Sequence, residues 1–174
     1  DWTRTHLNYP MDDGTTALRY DPTALAAFEL LILQRKEAEE FYTEAHQRDA
    51  HAYFQKLSQA EKDTLQRTIM AGLPGTDEVF TLDEFREHLN RYQDIDAEQL
   101  RENFAYFLQQ IIPVAEEYDI NMCIHPDDPP FPILGLPRVV KNEEDLKFII
   151  NAVPSMRNGI TFCTGSLGAR KDND

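Results

Sequence analysis

Apolar positions along the first half of the chain recur at helical spacing. Asp21 and Pro22 suit the N-cap and first position of a helix, and Leu25, Phe28, Leu31 and Ile32 follow on one face. Residues 34–57 are charged and helix-prone, with Phe41, Tyr42, Ala45, Ala52 and Phe54 as their apolar positions. Ser58 with Glu61, and Thr81 with Glu84, have the spacing of capping boxes and open two further helices. The first should stop near Gly72-Leu73-Pro74-Gly75; the second carries Leu82, Phe85 and Leu89. Asp96 and Gln99 open a longer helix with Leu100, Phe104, Phe107, Leu108, Ile111 and Ile112 as its buried stripe. Pro113 falls inside that pattern and predicts a kink or a break. Residues 1–20 read as loop, with Asp12-Asp13-Gly14 as a turn signal.

The texture changes after Asp119. A short apolar run predicts a strand over 120–124, which stops at His125 and enters a proline-rich, acidic loop over 125–141. A helix over about 143–153 follows, with Asn142 as N-cap and Glu143, Glu144 and Asp145 at its N-terminus. A second strand is expected over 160–163, ending at Cys163. Strand, helix and strand in this order predict a parallel pair. The chain therefore divides into a helical front over 1–95 and an α/β back over 96–174. Two parallel strands alone leave both sheet edges unpaired, so neighbouring strands are expected outside this chain.

Composition narrows the function classes. The net charge is −14, from 31 acidic and 17 basic residues, which argues against a nucleic-acid surface. It leaves room for a small anionic substrate, because a metal and one or two arginines reverse a local field. No apolar run approaches the ~20 residues of a membrane span. Two cysteines are too few for a disulfide framework, so a reduced, cytoplasmic setting is the default. The chain opens on Asp1 and closes on Lys171-Asp172-Asn173-Asp174, and both ends read as cuts through a longer protein.

His125 and Cys163 carry the candidate chemistry. Ligands in parallel α/β folds bind at the carboxyl ends of strands, where both residues are expected. A neutral imidazole and a thiolate together suit several divalent transition metals. An isolated loop histidine more often bonds to nearby backbone, and an isolated free cysteine is more often inert; their pairing reduces the weight of both readings. Cys123 lies inside the apolar run and is assigned to packing. Asp127 and Asp128 follow His125 and could orient its ring, bind a substrate hydroxyl, or simply build the turn. Pro126, Pro129, Pro130 and Pro132 stiffen that loop. Gly165 and Gly168 flank Ser166 in a turn whose N–H groups could receive an anion. Arg138, Arg170 and Arg4 are candidates for a substrate carboxylate, against the plainer reading of surface ion pairs. His46 and His51 fall in a charged helical region and are read as solvated.

The motif HPDDPPFPILGLPR at 125–138, with TFCTGSLGARKDND at 161–174, closely resembles D-mannonate dehydratase. DWTRT at 1–5, IMAGLPG at 69–75 and RENFAYFLQQIIPVAEE at 101–117 extend the resemblance over essentially the whole chain. It implies a TIM-type (β/α)8 barrel of the xylose-isomerase kind, often in homo-oligomers. Residues 120–124 and 160–163 would be its fifth and sixth strands, and the helical front a large insertion after the fourth. It implies loss of water from D-mannonate to give 2-keto-3-deoxy-D-gluconate in hexuronate breakdown, with Mn²⁺ or Fe²⁺. His125 and Cys163 match the family's metal ligands, completed there by a later His and a later Asp. The family's proton-transfer residues, a His and a Tyr, also lie downstream. Asp127, Ser166 and Arg170 are expected to orient the sugar acid. A sugar isomerase on the same barrel, or an inactive segment or interaction module, are the alternatives.

Overall fold

A computed structural model describes residues 3–71 and 81–173. The chain forms two compact units, one up to Arg91 and one from Tyr92 onward.

The first unit opens with a hairpin, not the expected loop. Strands β1 (His6–Pro10) and β2 (Thr16–Arg19) pair antiparallel, with Tyr9 opposite Ala17. Both strands are short, and a bulge between His6 and Tyr9 interrupts their alternation, so they leave no period-two signal. The turn falls where Asp12-Asp13-Gly14 predicts it. Gly14 takes φ +85, and the Asp13 carboxylate accepts the Thr15 N–H and hydroxyl.

Helix α1 (Pro22–Ala27) starts on Asp21, whose carboxylate accepts the N–H groups of Thr23 and Ala24. It widens into a π-helical turn, Phe28–Leu33, and stops at Gln34 with φ 51. The charged stretch after it is divided into α2 (Ala38–Phe41) and α3 (Glu44–Lys56), because Tyr42 is extended and Thr43 caps α3. Helices α4 (Gln59–Ala71) and α5 (Leu82–Asn90) start at the Ser58 and Thr81 capping pairs. The expected stop at Gly72 to Gly75 lies outside the described residues. The core of this unit holds Leu25, Phe28, Leu33, Leu65, Ile69 and Phe85, and Phe28 meets Phe85 edge to face at 6.2 Å. Buried among them, Glu29 accepts the Tyr42 hydroxyl at 2.6 Å and the Arg35 Nε–H at 2.7 Å. Burial and the adjacent Glu29 carboxylate push the Tyr42 hydroxyl's pKa up, so it stays a donor.

The second unit is a two-layer α/β arrangement. Helix α6 (Ala97–Glu117) is capped by Asp96 and is continuous through Pro113, so of the expected kink or break there is no break. Pro113 lies on the exposed face of the helix, where the hydrogen bond it cannot donate is least costly. Strand β3 (Met122–Ile124) pairs parallel with β4 (Asn158–Ile160), in register Met122 to Asn158 and Ile124 to Ile160. Helix α7 (Glu143–Ala152), capped by Asn142, joins them. The parallel pairing matches expectation, but β4 lies earlier than 160–163. Its position is set by Asn158, whose buried amide donates to the carbonyls of Ile149 and Val153.

One face of the strand pair is covered. Met122 and Ile124 pack with Leu108, Ile112, Val139, Val140 and Ile149, each fully buried aliphatic side chain stabilising by about 1.5–3 kcal/mol. Phe107, expected in the stripe, is half-exposed and stacks on Phe104. Cys123 points away from this core and is exposed, so its assignment to packing is overturned. Strand alternation explains the error: an apolar run does not say which face is covered within this chain.

Candidate metal pair and its supporting loops

His125 follows β3 directly and is exposed, and Cys163 lies three residues beyond the end of β4. The Thr161 N–H donates to the Ile124 carbonyl at 2.9 Å, so the parallel ladder continues past β4 and keeps both exits side by side. His125 Nδ1 is 2.7 Å from the Pro126 carbonyl, which only accepts, so Nδ1 is the donor and Nε2 is the nitrogen that a neutral ring offers to a metal.

Cys163 is the N-cap of α8 (Thr164–Leu167), a short helix where a glycine-rich turn was expected. The buried Ser166 hydroxyl donates to its sulfur at 3.4 Å. That bond lowers the thiol pKa to about 7, with smaller help from backbone N–H groups of Ser166 and Gly165 and from His125. A thiol held there is about half thiolate at neutral pH, the form that binds metal.

The loop from Pro126 to Val140 is tied at its base by Asp127. Its N–H donates to the Val140 carbonyl at 2.8 Å. Its carboxylate accepts the N–H groups of Val139 and Val140 at 3.1 and 2.9 Å, and Arg138 Nη1 approaches at 3.4 Å. Arg138 is buried inside this loop. Arg170 forms a fork with the Asp172 carboxylate and donates through Nη1 to the Pro130 carbonyl at 3.0 Å, which links the loop after β3 to the turn after α8. Arg4 belongs to the first unit and donates to the Thr3 carbonyl. His46 and His51 are exposed on α3.

Two residues in this frame carried no sequence signal as site residues. Asn173 donates through Nδ2 to the carbonyls of Lys141 and Leu167, both at 2.9 Å. Asp145 is fully buried, accepting Arg101 at 2.9 Å and Lys141 Nζ at 2.6 Å, and so fixes the exit of the loop onto α7. Its helix-N-terminal role was legible; its ion pairs, one of them 44 residues away in sequence, were not. An open cavity of about 530 Å³ lies against Phe162, Leu146, Leu167 and Asn173.

The donors fit a transition metal in kind, an imidazole nitrogen beside a sulfur that ionises near neutrality. In number they supply half of a tetrahedral set: among the described residues no group of three or more His, Cys, Asp or Glu side chains converges.

Comparisons with known proteins agree with the resemblance. The family model for D-mannonate dehydratase matches residues 1–174. The mannonate dehydratase of Marinomonas sp. is 52% identical over 174 residues, covering 100% of this chain and 44% of that protein. That of Chromohalobacter salexigens is 51% identical over 168 residues, covering 97% of this chain and 43% of its own length. The crystal structure of mannonate dehydratase from Streptococcus suis superposes with a TM-score of 0.62 at 29% identity, over 100% of this chain and 36% of that one. The chain thus spans less than half the length of the relatives it matches. It belongs to the D-mannonate dehydratase family.

Proposed function

We propose that this chain supplies half of the metal site of a hydro-lyase that converts D-mannonate to 2-keto-3-deoxy-D-gluconate in hexuronate degradation. The activity belongs to a protein of the relatives' full length. The juxtaposition of His125 and Cys163 at neighbouring parallel strand exits carries this reading, and the family match gives it a substrate. In that protein β3 and β4 are adjacent strands of a TIM-type barrel, and residues 1–95 are an insertion on it. The two remaining ligands, a His and an Asp, come from the next strands. Cytoplasmic placement fits two free thiols, and homo-oligomers are expected by resemblance.

The proton next to a carboxylate is weakly acidic, and its removal concentrates negative charge on the acid end of the substrate. Bound Mn²⁺ or Fe²⁺ supplies Lewis-acid stabilisation of that charge. His125 offers Nε2 because the Pro126 carbonyl holds the proton on Nδ1. Cys163 offers its sulfur as thiolate. Asp127 and Arg170 act on the sugar acid indirectly, since their charged groups are committed to the Val139–Val140 backbone, Pro130 and Asp172. The base for the C2 proton and the acid for the C3 hydroxyl come from outside this chain.

The test is an assay of a chimera in which this chain replaces the matched segment of the Marinomonas relative. Metal-loaded chimera should form a 2-keto acid from D-mannonate. A folded, metal-loaded chimera that isomerises a sugar and forms no keto acid from D-mannonate would replace the dehydratase reading with the isomerase one.

A further inference from the structure

Ser166 is 2% exposed, beyond the reach of a substrate in the site, yet its hydroxyl has a definite partner. The hydroxyl carries one proton, and that proton is directed at the Cys163 sulfur over 3.4 Å. The turn that brings them together is tight. The Leu167 N–H donates to the Cys163 carbonyl at 3.0 Å and the Gly168 N–H to the Thr164 carbonyl at 2.9 Å. A Cβ on Gly168 would come within 2.6 Å of the Thr164 oxygen, so only glycine closes this turn without displacing backbone.

We propose that Ser166 is a positioning residue for the metal pair, one that holds the Cys163 sulfur in place at the strand exit and does not touch the sugar acid. This deepens the reading of His125 and Cys163 as ligands and rests on it. A hydrogen bond to a ligand sulfur restricts its rotation and withdraws electron density from the lone pairs that bind metal. Partners of this kind contribute about 10–100-fold to metal affinity. They also raise the energy needed to move an electron from sulfur to metal, which a purely structural serine would leave unchanged.

The test titrates the metal-free Marinomonas chimera with Co²⁺ and follows the sulfur-to-cobalt charge-transfer band. Ser166→Ala should weaken binding by about tenfold and shift the band to longer wavelength, and Ser166→Thr, which keeps the hydroxyl, should restore both. If Ser166→Ala unfolds, Ser166→Gly, which also removes the hydroxyl, should show the same shift. An unshifted band at saturating Co²⁺ in Ser166→Ala, with Cys163→Ser abolishing the band, would overturn the proposal and leave the metal pair standing. A band that survives Cys163→Ser would overturn the metal pair itself.

Discussion

Asp127 and Val140 bond to each other twice. The Asp127 N–H donates to the Val140 carbonyl at 2.8 Å, and the Val140 N–H donates to the Asp127 carboxylate at 2.9 Å. This reciprocal pair closes the loop that leaves His125 and returns to α7. It makes an acidic residue beside a histidine, which in sequence could orient the ring, bind a substrate hydroxyl or build the turn, the fastening of the loop.

Replacing that carboxylate should loosen the loop. Asp127→Ala removes charge-assisted acceptors from two N–H groups in a largely buried setting and should cost about 2 kcal/mol. Asp127→Asn, which keeps one oxygen, should cost less. Urea unfolding of the two variants checks the order; equal stability of Asp127→Ala and wild type would remove Asp127 from this role.

Asp145 makes the fold acid-sensitive. Burial alone would raise its pKa, but hydrogen bonds from Lys141 and Arg101 outweigh burial and hold it below the usual carboxylate value. A depressed folded pKa gives stability that is complete above the unfolded value of about 3.9 and is lost as pH falls through the folded one. Asp145→Asn should lower stability at pH 7 by about 3 kcal/mol and flatten the acid limb of a stability–pH profile. An unchanged acid limb would exclude Asp145 as its source.

The Cys163 thiol should be unusually reactive. In a metal-free Cys123→Ser background, its alkylation rate should rise with pH to a half-maximum at about 7, against about 8.5 for an ordinary thiol. Ser166→Ala should move that midpoint upward. Iodoacetamide kinetics across pH 5–10 measure it, and a wild-type midpoint at the ordinary value would contradict the assigned hydrogen bonds.

Arg170 links two loops through a planar fork. Arg170→Lys keeps the charge but cannot bond Asp172 twice and still reach the Pro130 carbonyl. The variant should lose about 1 kcal/mol and show faster amide exchange in the Pro126–Val140 loop. Exchange confined to residues beyond 170 would show that the Pro130 contact carries no constraint.

Sequence reading found the features that local chemistry determines. Asp21, Thr81, Asp96 and Asn142 announce their helices because a cap is a contact between near neighbours. His125 and Cys163 stood out because each ends an apolar run in a strand-helix-strand unit, and the structure places both at the exits of a parallel strand pair. Distant contacts left no such mark. Asn158 anchors β4 by bonding the end of α7, so Asn158 and Gly159, poor strand formers, pair while Phe162, a better one, lies exposed. Arg170 looked available for a substrate carboxylate, but Asp172 and Pro130 occupy it. The His6–Arg19 hairpin escaped notice because its strands are short and bulged.

The central claim is that His125 and Cys163 hold one metal ion together. Anomalous scattering from crystals of the Marinomonas chimera grown with Mn²⁺ measures this directly. The account predicts a single manganese peak within bonding distance of both His125 Nε2 and Cys163 Sγ. A fully occupied peak bonded to neither residue would contradict it.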